Sequence, residues 1–267
     1  MPAETRPGKA LRIDGLAKVY RSRSGRESVA LSPLTTAISA GEFLAVVGPT
    51  GCGKTTLLKI LAGVVAPSSG SALVDGAPIS GPSIDRSVVF QNFALFPWLT
   101  VLGNVEFGLS SQGLPPDQRR SIALEFLRSV GLSDAVDKRP SELSGGMKQR
   151  CAIARAFAVH PSVLLMDEPF GALDALTRRF LQRELVRIWR EHQTTVVFIT
   201  HSVEEAIYLA DRILVMTAAP GRIKADLPVE LPRPRDETSL GFVELERRIF
   251  DLLDEELTRA FAIETIA

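Results

Sequence analysis

Nine residues, Gly48-Pro49-Thr50-Gly51-Cys52-Gly53-Lys54-Thr55-Thr56, combine the residue types that hold a phosphate. Gly51 and Gly53 can take backbone angles closed to other residues, so successive N–H groups turn inward around an anion. Lys54 supplies a compact charge for β- and γ-phosphates, and the Thr55 hydroxyl is placed to ligate Mg²⁺. The plainer alternative is a tight turn between strand and helix. The flanks decide for phosphate binding: Phe43–Val47 reads as a buried strand and Leu57–Ala62 as an opening helix, whose positive dipole end completes the cradle. The chain is therefore expected to bind a nucleoside triphosphate.

Three further clusters could do chemistry. Ser144, Gly145 and Gly146, inside Leu143-Ser144-Gly145-Gly146-Met147-Lys148-Gln149-Arg150, make a second anion-binding helix end, which one nucleotide per chain does not require. Asp167 and Glu168 follow the apolar run Val163–Met166. A carboxylate there can hold a Mg²⁺ shell and its neighbour can activate water. His201 ends another core strand, which directs it to a γ-phosphate rather than to a structural role. Tyr20, one of two tyrosines, is either a strand-end residue in water or a face for stacking adenine.

The elements that must position these groups are readable from periodicity. Residues 1–10 read as a loose leader, Leu11–Tyr20 and Leu34–Ser39 as strands, and Arg21–Ser28 as the charged turn between them. Ser71–Val74 and Ser87–Phe90 are further strands, the second leading to Gln91. Asn92-Phe93-Ala94-Leu95-Phe96-Pro97-Trp98-Leu99 then gathers three aromatics in six residues, a docking surface for another protein rather than a loop folded on its own core. Helices are expected over Thr100–Leu109, from Pro115-Pro116-Asp117 to Gly131, over Cys151–Val159, Leu173–Trp189 and Val203–Ala210. Strands are expected at Thr195–Ile199 and Arg212–Met216, with a turn at Pro220-Gly221. Leu231–Asp236 reads as a rigid connector rather than core, and Phe242, Leu245, Ile249 and Leu252 mark a last amphipathic helix.

Composition bounds the partners. Lys+Arg and Asp+Glu are both 31, and this balance argues against nucleic acid as the main partner, since phosphate backbones are bound through basic surfaces. Cys52 and Cys151 sit in a loop and a helix without disulfide or metal spacing, which suits a reducing cytoplasm. No segment resembles a secretion signal, and none approaches the ~20 apolar residues that span a bilayer.

Taken in order, Tyr20, the loop 48–56, Gln91, the 143–150 sequence, Asp167-Glu168, Ala172-Leu173-Asp174 and His201 resemble the ATP-binding subunit of an ABC transporter along almost the whole chain. Thr50 stands where serine is more usual, and a hydroxyl is kept. The resemblance implies an α/β fold. It would have a P-loop NTPase (ABC ATPase) core over 1–91 and 160–230, an N-terminal antiparallel β region, and a mainly helical inserted subdomain over 92–159. A connector and helix over 231–267 would complete one ABC domain of about 11–240. It also implies ATP and Mg²⁺ as cofactors, with Thr55, Gln91 and, through water, Asp167 on the metal. Glu168 would be the base and His201 would hold the γ-phosphate. Ser144 and Gly146 of a second copy would close over the phosphate held by Lys54, and Asp174 would shape the seam. Two integral-membrane permease subunits would dock on the aromatic loop. They would bring in a periplasmic or lipid-anchored solute-binding protein indirectly, at the cytoplasmic face of a bacterial inner membrane. The Val89–Val101 stretch and the Arg-Pro-Arg-Asp tail resemble importers of nitrate, sulfonates, taurine or similar small anions. A soluble ABC ATPase acting on nucleic acid or ribosomes, a small-molecule kinase and an export ATPase are the competing classes.

Overall fold

The computed structural model describes residues 7–264. In chain order the elements are β1 (Leu11–Arg21), β2 (Glu27–Ile38), β3 (Phe43–Val47), α1 (Lys54–Leu61), β4 (Ser69–Val74) and β5 (Ala77–Pro78). Then come β6 (Arg86–Val89), α2 (Val101–Ser110), α3 (Pro116–Ser129), α4 (Gly145–Ala158), β7 (Val163–Asp167) and α5 (Ala175–His192). The chain continues through β8 (Thr195–Ile199), α6 (Val203–Leu209), β9 (Arg212–Met216), β10 (Ile223–Pro228) and α7 (Leu240–Glu264). They fall into two compact units, residues 83–194 and residues 9–82 with those from 195 onward.

In the second of these units, β1 pairs antiparallel with both β2 and β4, giving the order β2-β1-β4-β5. This is the expected antiparallel region. A second sheet places β3 parallel between β8 and β9, with β10 antiparallel on the outer side of β9. Every residue of β3 and of β8 is buried, which is why β3 is a continuous apolar run and β8 is one after Thr195, neither alternating. Arg212 fastens the two sheets, donating to Glu42 (2.6 Å), to Asp226 (2.8 Å) and to the Ala37 carbonyl.

In the other unit, β6 and β7 pair in parallel with Val89 opposite Met166. Helix α4 packs against α2 and α3. Its buried face is rich in small residues (Cys151, Ala152, Ala154, Ala156, Ala158), which lets neighbouring backbones come close.

Several boundaries differ from the sequence reading. The first turn spans only residues 22–26, closed by Ser22 N–H to the Arg26 carbonyl, so β2 begins at Glu27. Helix α4 starts at Gly145, because Ser144 caps it through Met147 N–H (3.3 Å). The strand β10 lacks any apolar run and was not expected. Of the leader 1–10, residues 1–6 lie outside the described residues. Ala10 N–H donates to Asp75 (2.8 Å) and the Lys9 carbonyl accepts from Thr195 Oγ1 (2.8 Å), so these two are tied down rather than loose. The 231–236 connector is also partly core: the buried Arg235 donates to the carbonyls of Ile207 and Ala210 (2.6 Å each) and of Val229 (3.2 Å).

Candidate nucleotide site

The loop 48–56 leaves the carboxyl end of β3 and enters α1. Gly51 (φ +78°) and Gly53 (φ +96°) are both left-handed, and Gly53 is the residue at the helix N-cap. Lys54 is buried, with Nζ donating to the carbonyls of Gly48 (2.7 Å) and Pro49 (2.9 Å) and lying 3.7 Å from Cys52 Sγ. Burial raises the Cys52 pKa and the neighbouring Lys54 opposes that only in part, so this thiol stays protonated. Thr50 and Thr55 face solvent. Tyr20 is 41% exposed, and its hydroxyl lies 3.5 Å from Thr56 Oγ1 while Lys18 Nζ stands 5.1 Å over its ring. The structure thus brings Tyr20 to the edge of the glycine-rich loop.

In the same unit, exposed His201 follows β8 on a turn that sequence reasoning did not foresee. The buried Thr200 donates to Glu205 (2.7 Å) and accepts from Ser202 N–H (3.0 Å), and Ser202 caps α6 through Glu205 N–H. These bonds fix the backbone on which His201 stands.

In the unit of residues 83–194, the β6–β7 register carries Gln91 beside Glu168. Two residues beyond the Val89–Met166 pair, Gln91 Nε2 lies 3.4 Å from Glu168 Oε2. Asp167 is buried at the end of β7, and Glu168 has φ +46°. Asp174 caps α5 through Thr177 N–H (3.0 Å), a bond that lowers its pKa. Gly145 has open space where a Cβ would go, and one on Gly146 would meet Leu173 Cδ2 at 3.3 Å and the Ala172 carbonyl oxygen at 3.9 Å.

The aromatic loop after Gln91 is built from below by two residues that the sequence did not single out. Asn104, fully buried, accepts from Phe96 N–H (2.8 Å) and donates to the carbonyls of Phe96 (3.2 Å) and Thr100 (2.9 Å). Arg155 donates to the carbonyls of Ala94 (2.7 Å) and Phe93 (3.1 Å), under the Phe96 ring. Above them Phe96 contacts Phe107 and Trp98 (ring centroids 4.4 and 5.6 Å), while Trp98 is 68% and Phe107 54% exposed. No stretch of helix among the described residues is long and apolar enough to cross a membrane.

A strand, glycine-rich loop and helix on a mainly parallel sheet define the class: a P-loop NTPase. The ABC transporter family model matches residues 31–171. The chain is 49% identical to an ABC transporter ATP-binding protein of Methanocaldococcus jannaschii, over 94% of this chain and 93% of that one. It is 45% identical to the bicarbonate transport ATP-binding protein CmpD of Synechocystis, covering 88% and 84% respectively. An ATP-binding cassette solved as a dimer in a post-hydrolysis state with ADP and Pi superposes with a TM-score of 0.76 at 31% identity, over 82% of this chain and 99% of that one. The chain belongs to the ABC transporter family, as an ATP-hydrolysing, ATP-binding subunit.

Proposed function

We propose that this subunit powers the import of a small anion by docking on two membrane-embedded permease subunits through its aromatic loop, at the cytoplasmic face of the membrane. The observation that carries the docking is the Phe96–Trp98–Phe107 platform. It is held rigidly from beneath by Asn104 and Arg155 yet left largely bare, and it follows directly on Gln91. The relatives named for bicarbonate transport favour a small oxyanion as cargo, within the same chemical class as nitrate, sulfonates or taurine. A solute-binding protein would deliver that anion from the far side of the membrane.

In this reading Lys54 and the N–H groups of 51–56 hold the phosphates, Tyr20 offers a ring to adenine, and His201 meets the γ-phosphate. The donors Thr55, Gln91 and Asp167 are hydroxyl, amide and carboxylate oxygens, the hard set that Mg²⁺ takes. When bound, Mg²⁺ would neutralise charge on the phosphate oxygens. Glu168 then orients and deprotonates the attacking water, and Gln91, at 3.4 Å from it, holds the carboxylate in place. A second copy of the chain supplies Ser144, Gly145 and Gly146. The open space at Gly145 gives the glycine no packing role among the described residues, which suits a position that a partner's phosphate approaches. The helical lobe is assigned to 92–159, inserted between the core segments 1–91 and 160–230.

Replacing Phe96 and Trp98 with serine tests the docking. The double variant should bind ATP as the wild type does, yet no longer co-purify with the permease subunits or support anion uptake in vesicles. Normal co-purification and uptake would show these aromatics to be packing alone.

A further inference from the structure

The back of the 48–56 loop is braced by three close approaches, all within residues 9–82 and 195–264. A Cβ on Gly48 would lie 2.9 Å from Cys52 Sγ and 3.0 Å from Met216 Cβ. On Gly53 it would lie 2.5 Å from Leu31 Cδ2 and 2.6 Å from the Ala30 carbonyl oxygen. The tightest is Gly221, where a Cβ would overlap the Cys52 carbonyl oxygen. Gly221 is not among the residues with positive φ, so backbone conformation does not explain why it is glycine. Its approach to the loop does. Gly221 N–H donates to the Ala30 carbonyl (3.1 Å) and its own carbonyl accepts from Ser32 N–H (3.0 Å), which locks it against the strand that also touches Gly53.

Gly221 lies in the turn between β9 and β10, and that turn is fastened to α7. Ala218 N–H donates to Glu256 Oε2 (3.1 Å). Lys224, on β10, donates to the Leu252 carbonyl (2.8 Å) and pairs with Glu255 (2.7 Å) and Glu256 (2.9 Å). Glu256 and Lys224 are both largely buried. A buried carboxylate held by an ammonium and a backbone N–H is costly to disturb, so this is a stiff joint rather than a surface ion pair.

We propose that α7 is a positioning element for the phosphate loop: Glu256 fixes the β9–β10 turn, and Gly221 in that turn sets where the Cys52 carbonyl, and with it the N–H cradle, can lie. The proposal rests on the reading of 48–56 as the phosphate-binding loop. It assigns α7 an effect on nucleotide affinity, exerted through the turn and not through contact with substrate. Because coupling between two sites is reciprocal, nucleotide must also act back on α7.

The test uses the full chain. Glu256→Ala should raise both the ATP KM and the Kd of a fluorescent ATP analogue by about five- to tenfold, a usual size for coupling between sites. Its kcat at saturating ATP should stay within about twofold, since the groups touching the phosphates are unchanged. Glu256→Gln keeps an acceptor for Ala218 N–H and should recover most of the affinity. Gly221→Ala should weaken binding further. A Glu256→Ala protein with a lowered Tm but an unaltered KM and Kd would overturn the proposal, leaving α7 as packing. Hydrogen exchange on the wild type decides the matter even where a variant fails to fold. A non-hydrolysable ATP analogue should slow exchange at residues 217–222 and 249–256, and an unchanged α7 would again overturn it. Lys54→Ala is measured alongside. Normal ATP binding by that variant would remove the phosphate-loop reading itself. Loss of binding there with an unchanged Glu256→Ala would remove only the coupling.

Discussion

Glu168 carries a conformation that its residue type disfavours. A left-handed backbone at φ +46° costs a non-glycine residue on the order of 1 kcal/mol, and it is met here at the carboxylate beside Gln91. Such strain at a buried strand end suits a side chain aimed for chemistry. Glu168→Gln keeps the shape and removes the base, so phosphate release should fall by about a hundredfold or more while ATP affinity holds. A variant releasing phosphate at the wild-type rate would take Glu168 out of the mechanism. At this scale the sequence announces a residue where its proposed role lies in a short local pattern, as for Lys54, Thr55 or the Asp167-Glu168 pair. Asn104, Arg155 and Glu205 were silent, and Gly221 showed only as part of a turn. Their partners are mostly backbone groups, and for Arg155 and Gly221 these lie scores of residues away, so side-chain type alone does not announce them.

The elements were legible in proportion to their burial. Strands β8 and β9 match the reading to the residue because continuous apolar runs bounded by polar residues leave no choice of register. Strand β10, with Lys224, Asp226 and a terminal proline, lies at a sheet edge and carries little apolar signal. The ends of α4 and α5 hold a further pair the sequence left unremarked. His160 and His192 meet edge to face at 4.6 Å, and neither Nδ1 has a hydrogen-bond partner among the described residues. Burial first, and His192 second, pull His160 down to about 4. His192 is lowered too, by burial and by Arg187, against the opposing pull of Glu191 and Glu125. As pH falls the unfolded chain therefore takes up the proton before the folded one does. The native state keeps its full stability above about pH 6.5 and loses it toward pH 4, by roughly 1–2 kcal/mol once partial exposure is discounted. Tm followed from pH 7.5 to 4.5 should fall more steeply for the wild type than for His160→Asn, which tolerates the left-handed backbone at that position. Parallel curves would show that His160 does not titrate in this way.

At the scale of the whole molecule, the two proposed anion-binding ends on one chain are best used by two chains. Gly145 offers a way to separate folding from association, because a methyl group there meets nothing within 4 Å among the described residues. Gly145→Ala should leave the monomer as stable or raise it by roughly a few tenths of a kcal/mol, since alanine is the better helix residue. In sedimentation with ATP, in a Glu168→Gln background, the same change should weaken the dimer. Unaltered association would place Gly145 outside the contact. The joint between α7 and the β9–β10 turn has a different reach. The family model ends at residue 171, so Gly221, Lys224 and Glu256 lie outside the stretch by which the family is recognised. Two cassettes identical in every phosphate-binding residue could then differ in the ATP concentration at which they begin to work, with the setting written in the tail. An affinity tag or truncation placed there would reset that threshold, and inheritance could adjust it without touching the catalytic groups.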